Sequence, residues 1–185
     1  MSDGKAGMRE ENIERVPQVY FAASASRVGS RTLLAEEVDR AFGMPVGKLR
    51  GRAGIVSLAY ATQDENELTL GAEAAASALR AAGCVAGELD WIVATSETHH
   101  DYPSLAAQLH TKLLVRESCG VLDVGGACLG LLNAFAVAQS LIGSGQARAV
   151  LVVTGPMETT GMPATEIAPA AATKFCTVEE LVNVM

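Results

Sequence analysis

The stretch Val121-Leu-Asp-Val-Gly-Gly-Ala-Cys-Leu-Gly-Leu-Leu-Asn-Ala-Phe-Ala-Val-Ala-Gln-Ser-Leu-Ile142 decides the fold. A short β-favouring run ends in two glycines, and an apolar segment with helical spacing follows, with Cys128 at its first turn. That pattern is a strand–turn–helix junction with a thiol at the positive end of the helix. Unpaired first-turn N–H groups and the macrodipole favour a thiolate there, so Cys128 is placed to act as a nucleophile. Gly125, Gly126 and Gly130 are expected to leave room beside the sulfur for an acyl group approaching the backbone. The competing reading is a buried cysteine in a helix that packs on a sheet.

Working outward, strand-like and helix-like segments alternate. Val19–Ser26 reads as a strand, and Arg31–Phe42 as a helix ended by Gly43. Met44–Asn66 reads as a long irregular segment holding the basic loop Gly47–Gly54. Thr69–Ala82 is predicted helical and stopped by Gly83, and Leu89–Thr95 is predicted to be a buried strand. Pro103 opens a helix at its first turn, and Ala149–Thr154 is the last strand. The alternation predicts an α/β fold: a mostly parallel sheet of about four or five strands flanked by helices. Three parts are expected: a polar leader over 1–16, the α/β unit over 17–154, and a Pro- and Thr-containing tail over 155–185. Within that tail, Thr177–Val184 is the one helix-like piece.

Composition narrows the function classes. The chain has 185 residues, 49% of them hydrophobic but only 4% aromatic, so its core must be built from Ala, Val and Leu. A net charge of −7 with no basic run argues against a nucleic-acid partner. Asn133, Gln139 and Gln146 interrupt the best candidate for a membrane span, so no membrane partner is expected. Cys84, Cys119, Cys128 and Cys176 form no C-x-x-C pair, and Met1–Val16 lacks the apolar stretch of a signal peptide. A reduced, cytoplasmic protein is expected.

Other constellations are weaker. Gly125-Gly126-x-x-x-Gly130 is not the dinucleotide-binding spacing, and no acidic residue ends the next strand to hold a ribose. His99, His100 and His110 do not make a convincing ligand set, so no metal is expected. A structural or supporting role suits His99 and His100 better. Lys48, Arg50 and Arg52 form a small positive patch that could hold a phosphate or be an ordinary solvated loop. Asp123, inside an apolar strand, is expected to be structural.

Three ordered motifs carry a resemblance. Asp123-Val-Gly-Gly-Ala-Cys-Leu-Gly130, with its helix and Arg148-Ala-Val-Leu-Val-Val153, resembles the nucleophile region of thiolase-fold condensing enzymes. It looks most like the β-ketoacyl-acyl carrier protein synthase III group. Gly51-Arg-Ala-Gly-Ile55 resembles that group's Arg-Thr-Gly-Ile segment. Ala94-Thr-Ser-Glu-Thr-His-His-Asp-Tyr-Pro-Ser104 resembles its threonine-rich turn ending in aromatic-Pro-Ser. The resemblance implies one half of a thiolase-like fold and an acyltransferase in which Cys128 takes an acyl group from acyl-coenzyme A. It implies no cofactor beyond that substrate. It also implies that Tyr102 borders the acyl pocket at a dimer interface, and that Arg52, with Lys48 nearby, lies where coenzyme A or acyl carrier protein docks.

Departures accompany the match. Lys48 stands where the group often has a tryptophan, and Ala53 replaces the threonine. The group's enzymes have two similar halves, and this chain matches the first. The His and Asn that the second half brings to decarboxylation have no counterpart. The chain is therefore expected to pair with a copy of itself or with a chain supplying the second half. Two alternatives to an enzyme stand beside it: a non-catalytic half-fold with a partner subunit, and a truncated gene product.

Overall fold

The computed structural model describes residues 18–96, 99 and 102–155. The expected 1–16 leader, the tail beyond Gly155 with the expected helix-like piece Thr177–Val184 and Cys176, and also His100, lie outside the described residues. In chain order the elements are β1 Arg31–Leu34, α1 Ala35–Ala41, α2 Lys48–Ala53, β2 Ser57–Tyr60, α3 Glu67–Ala82 and β3 Trp91–Thr95. Then follow α4 Leu105–Lys112, β4 Gly120–Asp123, α5 Gly130–Gly143 and β5 Val150–Thr154. Short 3-10 turns at Ala86–Glu88 and Ala127–Leu129 precede β3 and α5.

The architecture is α/β, with a parallel sheet ordered β4-β3-β5. Among the described residues it is smaller than the sequence suggests. Three strands are parallel, and the other two, β1 and β2, form a separate antiparallel pair in which Arg31 faces Tyr60 and Leu34 faces Ser57. That pair takes Arg31–Leu34 out of the expected Arg31–Phe42 helix, because its ladder gives the backbone groups non-local partners that local helix preference cannot offer. The helix starts only at Ala35, whose N–H donates to Val56 O.

The expected irregular segment 44–66 likewise contains α2 and β2. Asp39, fully buried on α1, accepts from the N–H groups of Gly47 and Leu49 and so fixes the start of α2. The expected strand Val19–Ser26 is not one. Its small residues find no ladder among the described residues, and the segment is held instead by side chains. Phe21 meets Phe135 edge to face at 6.0 Å, and Arg27 pairs with Glu73 on α3.

Side-chain alternation along β3 sorts the helices. Ile92 and Ala94 join Leu151 and Val153 of β5 on one face, packed against Ala72, Ala75 and Leu79 of α3 and Leu105 and Leu109 of α4. Val93 and Thr95 point to the other face, where α5 begins. At the amino end of the sheet, Asp90 accepts from the N–H groups of Arg148 and Ala149 and pairs with Arg116, tying β3 to β5. The connections after β3 and β4 all emerge at the opposite, carboxyl end.

Candidate active site at the carboxyl end of the sheet

Cys128 lies where the sequence pattern puts it, in the single 3-10 turn between β4 and α5, with its side chain exposed. The approach to it is conformationally demanding. Gly126 has φ 143° and Ala127 φ 47°, a left-handed backbone that a non-glycine residue enters at a cost of about 1 kcal/mol. The turn closes through Leu129 N–H to Gly126 O at 2.9 Å. Asn133, one turn into α5, donates to Gly125 O at 3.1 Å, which braces the loop from the helix side.

Two of the three glycines are required by this packing. A Cβ on Gly126 would lie 2.4 Å from Asn133 Nδ2, and one on Gly130 would lie 2.1 Å from Thr95 Oγ1. Only at Gly125, of these three, would a Cβ meet nothing within 4 Å. Gly126 and Gly130 thus let α5 and its loop sit against Thr95 and Asn133.

Tyr102 follows β3 and Cys128 follows β4, and these neighbouring parallel strands bring both to one edge. Tyr102 is 97% exposed. The stretch after it is secured by Asp123, whose carboxylate accepts from Leu105 N at 2.9 Å and Ala106 N at 2.8 Å. The residue expected to be structural thus caps α4, and the helix opens at Leu105 rather than in a first turn at Pro103.

Lys48 and Arg52 belong to α2, which packs on α1, and no hydrogen bond or ion pair among the described residues links either to the Cys128 turn. Arg50, between them, is held by Glu36 at 2.8 Å, so the positive patch is partly neutralised. The other described thiols are in less favourable places: burial raises the pKa of both Cys84 and Cys119.

One cluster at this edge was not foreseen. Glu67, at the start of α3 and only 7% exposed, accepts from Ser96 Oγ at 2.5 Å and faces His99 Nδ1 at 3.5 Å. His99 Nε2 lies 3.1 Å from Gln108 Nε2. A first-turn glutamate usually reads as a solvated, dipole-matched residue. Only the return of Ser96 and His99, beyond the end of β3, to the start of α3 shows it to be buried. These contacts place His99 between the start of α3 and Gln108 of α4.

Among the described residues no group of three or more His, Cys, Asp or Glu could hold a metal ion, and no helix is long and apolar enough to cross a membrane. No family profile matches the chain. A β-ketoacyl-[acyl-carrier-protein] synthase III from Neisseria meningitidis serogroup C is 37% identical over 130 residues, covering 70% of this chain and 39% of the relative. A solved 3-oxoacyl-[acyl-carrier-protein] synthase III from Aquifex aeolicus is 26% identical with a TM-score of 0.68, covering 73% of this chain and 44% of that one. A priming β-ketosynthase of a polyketide biosynthetic pathway is 28% identical with a TM-score of 0.70, covering 75% and 41%. The chain therefore spans about 40% of the length of the curated relatives it matches. By sequence and by fold, the chain is a relative of the β-ketoacyl-[acyl-carrier-protein] synthase III enzymes, with their thiolase-like α/β fold over the part that it spans.

Proposed function

We propose that the protein is the nucleophile-bearing part of an acyltransferase of the 3-oxoacyl-[acyl-carrier-protein] synthase III type, working in fatty-acid or polyketide-type condensation. The observation that carries this is the exposed Cys128 on a strained turn between a parallel strand and a 14-residue helix. In the step proposed, the Cys128 thiolate attacks the thioester carbonyl of acyl-coenzyme A, and a tetrahedral oxyanion forms. Its collapse breaks the bond to the coenzyme A sulfur. Coenzyme A leaves as a thiolate and the acyl group stays on Cys128 as a new thioester. Helix N–H groups at the α5 start are the nearest source of oxyanion stabilisation.

In this reading Tyr102 borders the acyl chain and Gly126 lets the backbone pass close to it. Lys48 and Arg52 meet the phosphates of coenzyme A or the acidic surface of an acyl carrier protein. The reaction needs no cofactor beyond its substrate. The catalytic unit is residues 17–154, flanked by a 1–16 leader and a 155–185 tail, in a cytoplasmic protein. A second copy or a partner chain completes the site.

The test is mass spectrometry of the full chain after exposure to acetyl-coenzyme A. One acyl adduct on Cys128, absent from Cys128→Ala, is the expected result. Adducts spread over several thiols, or none, would overturn the nucleophile assignment. A second reading, a non-catalytic half-fold that binds a partner subunit or a truncated gene product, draws on the apolar side chains left exposed on α5 and β4. Condensation with malonyl-carrier protein is expected to be absent from this chain alone. Decarboxylation leaves a carbanion, and no hydrogen bond or ion pair from a described side chain reaches Cys128 to supply a donor; Asn133 is committed to Gly125. Release of carbon dioxide that depended on Cys128 would show a complete site.

A further inference from the structure

We propose that His99 is a positioning residue for the Cys128 site: protonated on Nδ1 toward Glu67 and accepting at Nε2 from Gln108, it clasps the Tyr102–Pro103 turn to helix α3. The hydrogen-bond inventory determines where the proton sits. Gln108 Nε2 donates to Pro103 O at 2.7 Å, and the opposite amide orientation would set oxygen against oxygen. With the amide nitrogen pinned there, its second N–H points to His99 Nε2 at 3.1 Å, so that ring nitrogen must accept. The ring proton is then on Nδ1, 3.5 Å from the buried Glu67 carboxylate. A cationic ring would oppose its own Nε2–H to the Gln108 amide hydrogens, although Pro103 O is also within 3.4 Å of Nε2.

Two tethers therefore bracket Tyr102. Upstream, His99 is fastened by its ring to Glu67 and Gln108, and by its N–H to Ser96 Oγ at 3.0 Å. Downstream, the start of α4 is fastened by Leu105 and Ala106 to Asp123, which ends the strand that leads to Cys128. Thr95, at the end of β3 just before Ser96, is itself held in place, with Gly130 of α5 packed against its side chain and its carbonyl accepting from Gly155 N–H at 3.1 Å. A side chain as exposed as Tyr102 keeps a fixed position relative to Cys128 only through such flanking contacts.

The role in acyl transfer rests on the Cys128 reading above, so the decisive measurement does not involve acylation. The full chain labelled with 15N-histidine is examined by long-range 1H–15N correlation at neutral pH, with His99→Gln assigning the signal. An Nδ1–H tautomer is expected. Gln108→Glu replaces the donor at Nε2 with an acceptor, and is expected to move a proton onto Nε2. In uniformly 15N-labelled samples of both variants, the heteronuclear NOE of the Tyr102 amide should fall while those of β3 stay constant. An Nε2–H tautomer in the unaltered chain, or a Tyr102 NOE unchanged in both variants, would overturn the proposal. In the acylation assay, His99→Gln should raise the half-saturating acyl-coenzyme A concentration about five-fold, the size of one lost net hydrogen bond, with the final labelled fraction unchanged. A loss of labelled fraction alone would indicate misfolding and count against positioning. If the unaltered chain is not acylated, the acyl-transfer reading fails and the spectra still decide what His99 does.

Discussion

Asp123 and Leu105, eighteen residues apart in sequence, are joined by a 2.9 Å hydrogen bond from the Leu105 N–H to the Asp123 carboxylate. The other carboxylate oxygen takes the Ala106 N–H at 2.8 Å. One side chain thus caps α4 and fixes the helix to the strand that delivers Cys128. Asp123→Ala should cost about 1–2 kcal/mol, in the range of lost helix caps and paired hydrogen bonds. Asp123→Asn keeps one acceptor and should cost less. Thermal unfolding followed by circular dichroism checks both, and equal melting temperatures for all three proteins would contradict the capping role.

Gly130 is a point of tight contact between α5 and the sheet. A Cβ there would lie 2.1 Å from Thr95 Oγ1 and 3.2 Å from Thr95 Cβ. Thr95 is buried at a strand end and cannot swing away cheaply. Gly130→Ala is expected to destabilise by about 1–3 kcal/mol, as overpacking does. Adding Thr95→Ala should recover part of that loss, a non-additive pair. Gly125→Ala, with open space around its Cβ, should leave the melting temperature nearly unchanged.

The thiols should differ in reactivity. Cys128 is exposed at the start of α5, whereas burial raises the pKa of Cys84, with Glu88 adding to the effect, and of Cys119. Fewer thiolates at neutral pH means slower alkylation of the last two. Iodoacetamide followed by peptide mapping should label Cys128 well ahead of Cys84 and Cys119. Equal labelling of the three would remove the chemical basis of the nucleophile assignment.

Much of this edge was legible in the sequence. Trp91–Thr95 and Val150–Thr154 are apolar runs too short and β-rich to be anything but buried strands, and the Gly125–Gly126 pair marks the turn before an apolar helix. Ala-rich α3 was also readable, although its start is Glu67, two residues before the expected Thr69. Asn66 caps it through Thr69 N–H at 2.8 Å. What could not be read were the non-local choices. Arg31–Leu34 becomes a strand only because Ser57–Tyr60 lies beside it, and Glu67 is buried only because Ser96 and His99 return to it from another element. Periodicity describes a segment's own face and carries no information about a partner that arrives 23 or more residues later.

Asp90 makes stability depend on acid. Its pKa is lowered below the ordinary 3.8, first by the Arg148 N–H hydrogen bond; burial opposes this as the second-largest influence, and the Ala149 N–H and the nearby Arg116 charge lower it further. A carboxylate with a depressed folded pKa contributes stability above its unfolded pKa and loses it as pH falls through the folded value. The contribution should therefore be complete near neutrality and fade below about pH 4. Asp90→Asn should cost about 1–3 kcal/mol at pH 7, and the gap to the unaltered chain should narrow in acid. A gap that widened as pH fell would have the wrong sign for this carboxylate.

The exposed apolar side chains of β4 and α5 should drive association. β4 is an edge strand of the parallel sheet, with Val121 and Leu122 exposed along it. On the adjoining turn and helix, Leu129 and Leu132 are 60% and 61% exposed, and Phe135 and Phe21 add their partly open rings. An unpaired strand edge next to apolar side chains is a surface that water disfavours and another chain can cover. The chain should therefore sediment as a dimer or larger species at micromolar concentration. Leu132→Lys places a charge in the middle of the patch without touching the core, because Leu132 is not among the buried residues. This variant should shift the chain toward the monomer and leave its melting temperature, measured at low concentration, within a few degrees of the unaltered value. A clean monomer for the unaltered chain, or an association unaffected by Leu132→Lys, would show that this face is not the one that pairs.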